Sequence, residues 1–205
     1  MAKASTDAAD LEEIRLWDPV VRICHWVLTV SFLVAWGLGE FGPDVMTWHF
    51  ITGNVALGAM IVRLCWAFIG PPSARFAAYF YGPAATFGYL RHMFERRPSY
   101  WPGHNPVAGP IIFALLLVAL AVAVTGLFVD PDDYVNVGPL AAYVDSATQR
   151  AANSWHQWLA DLAIVLVVLH VSAILFYRVW KHENMVLPMI TGSKRVRKAG
   201  PTSRS

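Results

Sequence analysis

Charged residues are scarce in this sequence of 205 residues, because Asp, Glu, Lys and Arg together make up only 15% of it. Soluble globular domains carry about 25% charged residues. Hydrophobic residue types reach 56% of the chain. This composition argues against an ordinary soluble domain and predicts a single membrane domain, with no nucleic-acid partner.

Cysteine is scarce too, and the N-terminal region has no apolar core. Cys24 and Cys65 lie in separate apolar runs and form neither CxxC nor CxxCH, which excludes covalent c-type haem attachment and favours reduced packing residues. The first sixteen residues, MAKASTDAADLEEIRL, are polar and partly acidic. We therefore expect no signal peptide here.

Four apolar runs are present, at residues 20–39, 49–70, 110–129 and 154–181. Each is near the roughly 20 residues that a helix needs to cross a bilayer. Nine tryptophans fit aromatic belts at two membrane interfaces. We predict an all-α integral membrane four-helix bundle over residues 16–192, preceded by a polar tail at 1–15. A basic, disordered tail at 193–205, drawn to anionic lipid, is expected to follow it.

Basic residues are almost absent from one predicted side of the membrane. Of the sixteen Lys and Arg residues, only Arg150 lies on the side opposite the termini. By the positive-inside rule both termini are cytoplasmic, in a multi-pass protein of the bacterial inner membrane. The outer side is acidic and sums to about −5, since Arg150 faces six acids. These acids are Glu40, Asp44, Asp130, Asp132, Asp133 and Asp145.

The fourth run carries two histidines, His156 and His170, which lie fourteen residues apart. On one helix this spacing turns both rings in nearly the same direction, about 21 Å apart along the axis. A lone intramembrane histidine is more simply explained by a hydrogen bond to a neighbouring helix. Matching histidines at the same two depths, His25 and His49, favour a metal site instead.

The four histidines form two predicted pairs, His25 with His170 at the inner level and His49 with His156 at the outer level. Facing imidazoles hold a haem iron from both sides, so we predict two haem b groups per chain. With both axial positions filled, such a haem transfers electrons and leaves no site for oxygen.

Residues near these histidines also fit a haem. Arg63, fourteen residues after His49, and Arg22, one turn before His25, are candidates for binding haem propionates. For Arg63, snorkelling to the interface is an equal alternative. Small residues on the same faces leave room for a macrocycle or for helix packing, two explanations that stay open. They include Gly39, Gly53 and Ala56.

Several motifs resemble one family. They are LWDPVVRICHW before and within the first run, VRLCWAFIGP at the end of the second, GHNP before the third and KHENMVLPMITG after the fourth. The sequence resembles bacterial cytochrome b561, a group that includes the b-type cytochrome subunits of nickel–iron hydrogenases. The resemblance implies a four-helix membrane haem protein that exchanges electrons with quinone, with axial ligands at His25, His49, His156 and His170.

Other polar residues have weaker claims. Asp161, in the fourth run, departs from the family pattern, and an interhelical hydrogen bond is favoured over a proton relay. His104, in GHNP, is a minor candidate for a role near the inner haem or a quinone, and surface positions are the default for His92 and His182.

Three functions remain to be weighed. The leading one is a dihaem cytochrome b that passes electrons between quinone and a periplasmic redox protein, a cytochrome c or a hydrogenase-type partner, docked on the acidic face. The alternative is a stand-alone superoxide:quinone oxidoreductase, which the acidic face disfavours because it repels an anion. Whether the chain is itself an enzyme, and whether it forms a homodimer, are left open. A small transporter with zinc-binding histidines lacks the clustered thiolates or carboxylates it would need.

Overall fold

Four long helices dominate the fold. The computed structural model describes residues 11–43, 46–99, 101, 103–132 and 135–197. The helices are α1 (Pro19–Phe41), α2 (Thr47–Ile69), α4 (Ala108–Gly126) and α5 (Ser146–Val179). All four are long and apolar enough to cross a membrane. They confirm the four predicted spans.

The four helices associate as two pairs. α1 packs along α2 and α4 packs along α5, whereas a smaller contact between α2 and α4 joins the pairs. Within the described residues, α1 and α5 make at most marginal contact. The faces that carry His25 and His170 are therefore not closed against each other by helix packing.

Helix α5 begins earlier than the sequence predicts, at Ser146, where the side chain of Asp145 accepts a hydrogen bond from the Thr148 N–H and caps the helix. Its 34 residues correspond to about 51 Å, against about 30 Å of hydrocarbon. Because His156 lies beside Gly126, the last residue of α4, the first turns of α5 extend beyond the end of α4. The connection from α4 is correspondingly shorter than expected.

The remaining elements are short. Single 3₁₀ turns lie at Pro72–Ala74, Phe76–Tyr79 and Ala141–Tyr143. Helix α3 (Pro83–His92) lies in the loop between α2 and α4, and α6 (Leu187–Thr191) follows α5. Strand β1 (Leu11–Arg15) pairs antiparallel with β2 (Ser193–Arg197). We call the end of the bundle that carries this sheet the terminal end, and the opposite end the far end.

The prediction of a disordered tail is wrong for Ser193–Arg197, and the polar tail predicted at 1–15 likewise contains β1. Backbone hydrogen bonds to β1 order β2, and the buried side chains of Lys194 and Val196 reinforce the pairing. Residues 1–10 and 198–205 lie outside the described residues. The sheet places both ends of the described chain on one side of the bundle, and that this side is cytoplasmic stays a prediction.

A turn at Gly192 connects the sheet to the bundle. The Gly192 carbonyl accepts hydrogen bonds from the N–H groups of Leu16 and Trp17, at 2.8 and 3.0 Å. Gly192 has a φ of 87°, which favours glycine, and ends α6. Arg22 donates from Nη1 to the Thr191 carbonyl at 3.2 Å. The C-terminal segment is thus bound to the start of α1.

A buried ion pair fixes this segment. Lys194 Nζ lies 3.0 Å from Glu183 Oε1, and both side chains are only 6% exposed. Ser99 donates from its N–H and its hydroxyl to Glu183, and Lys194 also donates to the Trp101 carbonyl. Burial alone would raise the pKa of Glu183, but the charge of Lys194 and these hydrogen bonds outweigh it and lower the pKa.

Replacing Lys194 with Met should destabilise the protein, because it leaves the buried carboxylate of Glu183 without its cation. Breaking a buried pair in this way typically costs about 3–5 kcal/mol, so we expect the Tm in detergent to fall by about 5 °C or more. Because the folded-state pKa of Glu183 is lowered, the contribution of the pair is present at neutral pH and is lost as the pH falls through that value. The difference in Tm between Lys194→Met and the wild-type protein should therefore become smaller at acidic pH. Arg195→Met, at an exposed neighbouring position of β2, is the control, and an equal loss in both variants would contradict the role of the pair.

Candidate functional site

At the far end the structure brings His49 of α2 and His156 of α5 together. Their ring centroids are 6.0 Å apart and their planes are inclined by 75°. His49 Nδ1 lies 2.8 Å from the Ala35 carbonyl oxygen, and His156 Nδ1 lies 2.8 Å from that of Val122. Since a carbonyl only accepts, both Nδ1 atoms carry the proton and both Nε2 atoms keep a lone pair for a metal.

This geometry suits two axial ligands. Imidazole–metal bonds are about 2 Å long, so two rings that bind one metal from opposite sides have centroids about 6 Å apart. Hydrogen bonds from the second ring nitrogen to backbone carbonyls are the usual way in which a metal-binding histidine is oriented. We call His49 and His156 the far level.

Two glycines leave room for these rings. A Cβ at Gly39 would lie 3.3 Å from the His49 ring, and one at Gly126 would lie 2.9 Å from Cε1 of His156. Gly39 therefore leaves space for the ring of His49. The sequence analysis proposed space for a macrocycle or for helix packing, and neither explanation included the histidine. Gly53, by contrast, has no atom within 4 Å of an added Cβ, so it does not mediate close helix packing.

At the terminal end, His25 of α1 and His170 of α5 lie at one depth, because His25 is fourteen residues before Gly39, which borders the His49 ring, and His170 is fourteen residues after His156. We call these two residues the terminal level. Both side chains are partly buried. His25 Nδ1 is buried without a hydrogen-bond partner in the described part of the chain, so no backbone carbonyl orients this ring as at the far level.

Beside the terminal level lies a cluster that the sequence indicated only in part. Arg63 is 5% exposed and donates from Nη2 to the Ala74 carbonyl and to the Tyr79 hydroxyl. The Tyr79 ring stacks on His104, with centroids 4.7 Å apart and an interplanar angle of 19°. On another side of His104, the Trp17 ring centroid is 4.8 Å away. Arg63 is thus buried and bound by the loop that follows α2.

The electrostatics of this cluster follow from burial. Burial and then the charge of Arg63 lower the pKa of His104 to about 3, so its ring is neutral at physiological pH. Trp17, whose ring lies beside His104, is two residues before α1, so the cluster is at the same end of the bundle as His25 and His170. Burial raises the pKa of Tyr79 more than Arg63 lowers it, so the hydroxyl stays protonated.

The other predicted site residues have different surroundings. Arg22 binds the Thr191 carbonyl through Nη1, while its Nε is buried without a protein partner among the described residues.

Asp161 is exposed on α5 and lies about 140° around the helix from His156. No hydrogen bond joins it to another helix in the described chain, so the expected interhelical bond is not formed. His92 and His182 are exposed, which agrees with the surface positions predicted for them.

The GHNP motif joins the site to the bundle. Asn105 accepts hydrogen bonds from the N–H groups of Val107 and Ala108 at the start of α4, and donates to the Tyr177 hydroxyl of α5 at 2.9 Å. The His104 carbonyl accepts from the Tyr81 hydroxyl at 2.7 Å. A Cβ on Gly109 would collide with the Tyr79 carbonyl, so this glycine allows α4 to approach the loop that carries Tyr79.

The residues present fit haem at both levels. At the far level the two imidazole rings have centroids 6.0 Å apart, and each Nδ1 bonds a backbone carbonyl, which leaves Nε2 as the metal-binding nitrogen. At the terminal level, Nη1 of Arg63 and Nδ1 of His104 are buried without a protein partner among the described residues. A haem propionate would supply the acceptor that Nη1 lacks. No cluster of three or more His, Cys, Asp or Glu suited to a metal ion occurs within the described residues.

Four apolar helices that present histidines at two depths form the architecture of a membrane-bound b-type cytochrome. The profile of the prokaryotic cytochrome b561 family matches residues 16–192, and the chain belongs to this family. It is therefore a multi-pass membrane cytochrome b that functions in electron transfer, with haem b as its implied cofactor.

Its relatives extend over nearly the whole chain. A probable Ni/Fe-hydrogenase 1 B-type cytochrome subunit of Escherichia coli (strain K12) is 25% identical over an alignment of 210 positions, which covers 86% of this chain and 88% of that protein. A probable Ni/Fe-hydrogenase B-type cytochrome subunit of Bradyrhizobium diazoefficiens is 22% identical and covers 90% and 87%. One of Rhizobium leguminosarum bv. viciae is 22% identical and covers 91% of each. No solved structure matches the chain significantly.

Replacing Gly126 with Ala should weaken haem binding at the far level, because the added methyl displaces the ring of His156 from its bond to Val122. Overpacking of this kind costs about 1–3 kcal/mol, so haem affinity there should fall about tenfold or more. Gly58→Ala is the control, since an added Cβ there meets nothing within 4 Å. Reduced-minus-oxidised spectra of the two variants provide the measurement, and an unchanged spectrum in Gly126→Ala would show that the His156 ring tolerates the methyl.

Proposed function

We propose that this chain is a dihaem cytochrome b that passes electrons between a redox protein at its far end and quinone in a bacterial inner membrane. The observation that carries the proposal is the facing pair of His49 and His156, whose Nδ1 atoms are both engaged by backbone carbonyls. Haem b, when bound, supplies reversible one-electron transfer.

The residues of this chain would hold one haem at each level. His49 and His156 would be the axial ligands at the far level, and His25 and His170 those at the terminal level. Because His156 and His170 lie on one continuous helix, α5 separates the two levels by about 21 Å along its axis. Arg63 and Arg22, both at the terminal level, would bind propionates there.

The partner is inferred from charge and from the relatives. Glu40, Asp130, Asp132 and Asp145 lie at the far end of the bundle, and Asp44 and Asp133 lie outside the described residues. An acidic surface accelerates association with a basic protein. The relatives are named as subunits of Ni/Fe-hydrogenases, so a hydrogenase-type partner is our first choice and a cytochrome c the second.

Quinone is the proposed partner within the membrane, because it is a lipid-soluble electron carrier that can reach a haem inside the bilayer and because the family resemblance implies it. The strongly basic character of the loops and tails at the terminal end supports the cytoplasmic orientation of that end. A superoxide:quinone oxidoreductase of the same fold remains the competing function, and an acidic far end opposes it.

The haem count and pairing are tested together. We expect a pyridine haemochrome assay to give two non-covalent haems per chain. His25→Ala and His170→Ala should remove one and the same spectral component, and His49→Ala and His156→Ala should remove the other. One haem per chain, or losses that cross between the levels in variants that still insert, would contradict the proposal.

Neutralising the far-end acids separates the two functions. The triple change Asp130→Asn, Asp132→Asn and Asp133→Asn should slow electron transfer with a basic redox protein, mainly through the association rate, and the difference should shrink as salt rises. Asparagine suits position 132, where φ is 56°. The control is Arg195→Asn at the terminal end, which should leave this rate unchanged.

With superoxide as the substrate the same triple variant should instead become faster at low salt, because repulsion of the anion is removed. Faster superoxide-dependent quinone reduction, without any loss of transfer to a basic protein, would overturn the partner assignment and favour the competing function.

A further inference from the structure

The cluster of Arg63, Tyr79 and His104 contains two polar groups that this chain does not satisfy. Nη1 of Arg63 and Nδ1 of His104 are both buried and have no hydrogen-bond partner within the described residues. A buried donor without an acceptor costs about 1–3 kcal/mol, and more if it is charged. Arg63 is a charged donor, and His104 donates from Nδ1 in one of its two tautomers, so the two groups together indicate a ligand that accepts hydrogen bonds and carries negative charge.

Tyr79 fixes both groups. Its hydroxyl accepts from Nη2 of Arg63, and its ring lies flat against His104 at 4.7 Å. The Ala74 carbonyl takes a second hydrogen bond from the same Nη2. The guanidinium is thereby locked with Nη1 directed elsewhere, and Trp17 restricts the His104 ring from another side.

The position of the cluster identifies the ligand. Trp17, whose ring lies 4.8 Å from that of His104, closely precedes α1, the helix of His25, and Asn105, next to His104, bonds Tyr177 on α5, the helix of His170. Arg63 lies on the same helix as His49, fourteen residues further on. An arginine binds a carboxylate through charge-assisted hydrogen bonds, and a neutral imidazole adds one N–H donor. The carboxylates that a haem brings to this place are its propionates.

We propose that Arg63 and His104 together bind a propionate of the terminal haem, and that Tyr79 is the positioning residue that holds both donors. This inference rests on the proposed haem between His25 and His170. It adds His104 to the haem site and means that the two levels are held in different ways. Backbone carbonyls orient the histidine ligands at the far level. At the terminal level, Arg63 and His104 bind a haem propionate, and we call these two residues the clamp.

The test uses the intact haem-loaded protein, with haem labelled by ¹³C at the propionate carboxyl carbons. Redox-induced infrared difference spectra then report the labelled carboxylates directly. Arg63→Gln and His104→Phe should both shift the labelled bands, because phenylalanine keeps a ring between Trp17 and Tyr79 but has no donor. His104→Asn, which can place an N–H near the position of Nδ1, should restore the wild-type bands in part.

The midpoint potential and haem retention give independent readouts. Arg63→Gln should lower the potential of the terminal haem, since a nearby cation stabilises the reduced state, and should increase haem loss about tenfold or more. Tyr79→Phe should reproduce part of the Arg63→Gln shift. His182→Asn is the control, because His182 is exposed at the same end and its φ of 54° suits asparagine.

Each result has one interpretation. Labelled bands that stay unchanged in both Arg63→Gln and His104→Phe, with two haems still present, overturn the clamp and leave the proposed function intact. A shifted potential with unchanged labelled bands also overturns it and assigns the cluster to another anion, such as a lipid phosphate. Absence of a terminal haem in the wild-type protein refutes the proposed function itself. The far-level spectrum, which should persist in every variant, shows that the protein has folded.

Discussion

The hydrogen bonds from His49 and His156 to the carbonyls of Ala35 and Val122 are the interactions on which the architecture depends most. Each joins a histidine on one helix to the backbone of its packed neighbour, α2 to α1 and α5 to α4. An imidazole within a membrane is expensive unless it is partnered, and here the helix pairs provide that partner. Each pair is therefore a preformed unit that carries one oriented ring of the far level.

The two ends of the bundle hold their histidine rings in different ways. At the far end, glycines and backbone carbonyls orient the rings, so the chemistry depends on helix packing. At the terminal end, His25 Nδ1 has no such acceptor in the described chain, and the GHNP loop instead adds a buried cluster of Arg63, Tyr79 and His104 at that end. The environment of the terminal level therefore depends on a loop, and a loop tolerates substitutions that a packed helix pair does not.

Most of the framework could be predicted from the sequence, because hydropathy and histidine spacing are local signals. Spans, their order and the level of each histidine follow from them. The early start of α5 was missed because residues 146–153 are polar and form helix beyond the apolar run. The strand pairing was missed because β1 and β2 are short, polar and far apart in the chain. Gly126 and Tyr79 act only through partners that the folded chain brings to them, although a glycine at the depth of His156 was a signal that could have been used.

The sheet between Leu11–Arg15 and Ser193–Arg197 has a consequence for biosynthesis. Its two strands leave the ribosome at opposite times, since β1 is made before any span and β2 after all four. Long loops add little to the entropy of closure, so β1 pairs readily once β2 emerges, but not earlier. The end of the bundle that holds His25 and His170 therefore acquires its sheet only after all four helices have been made.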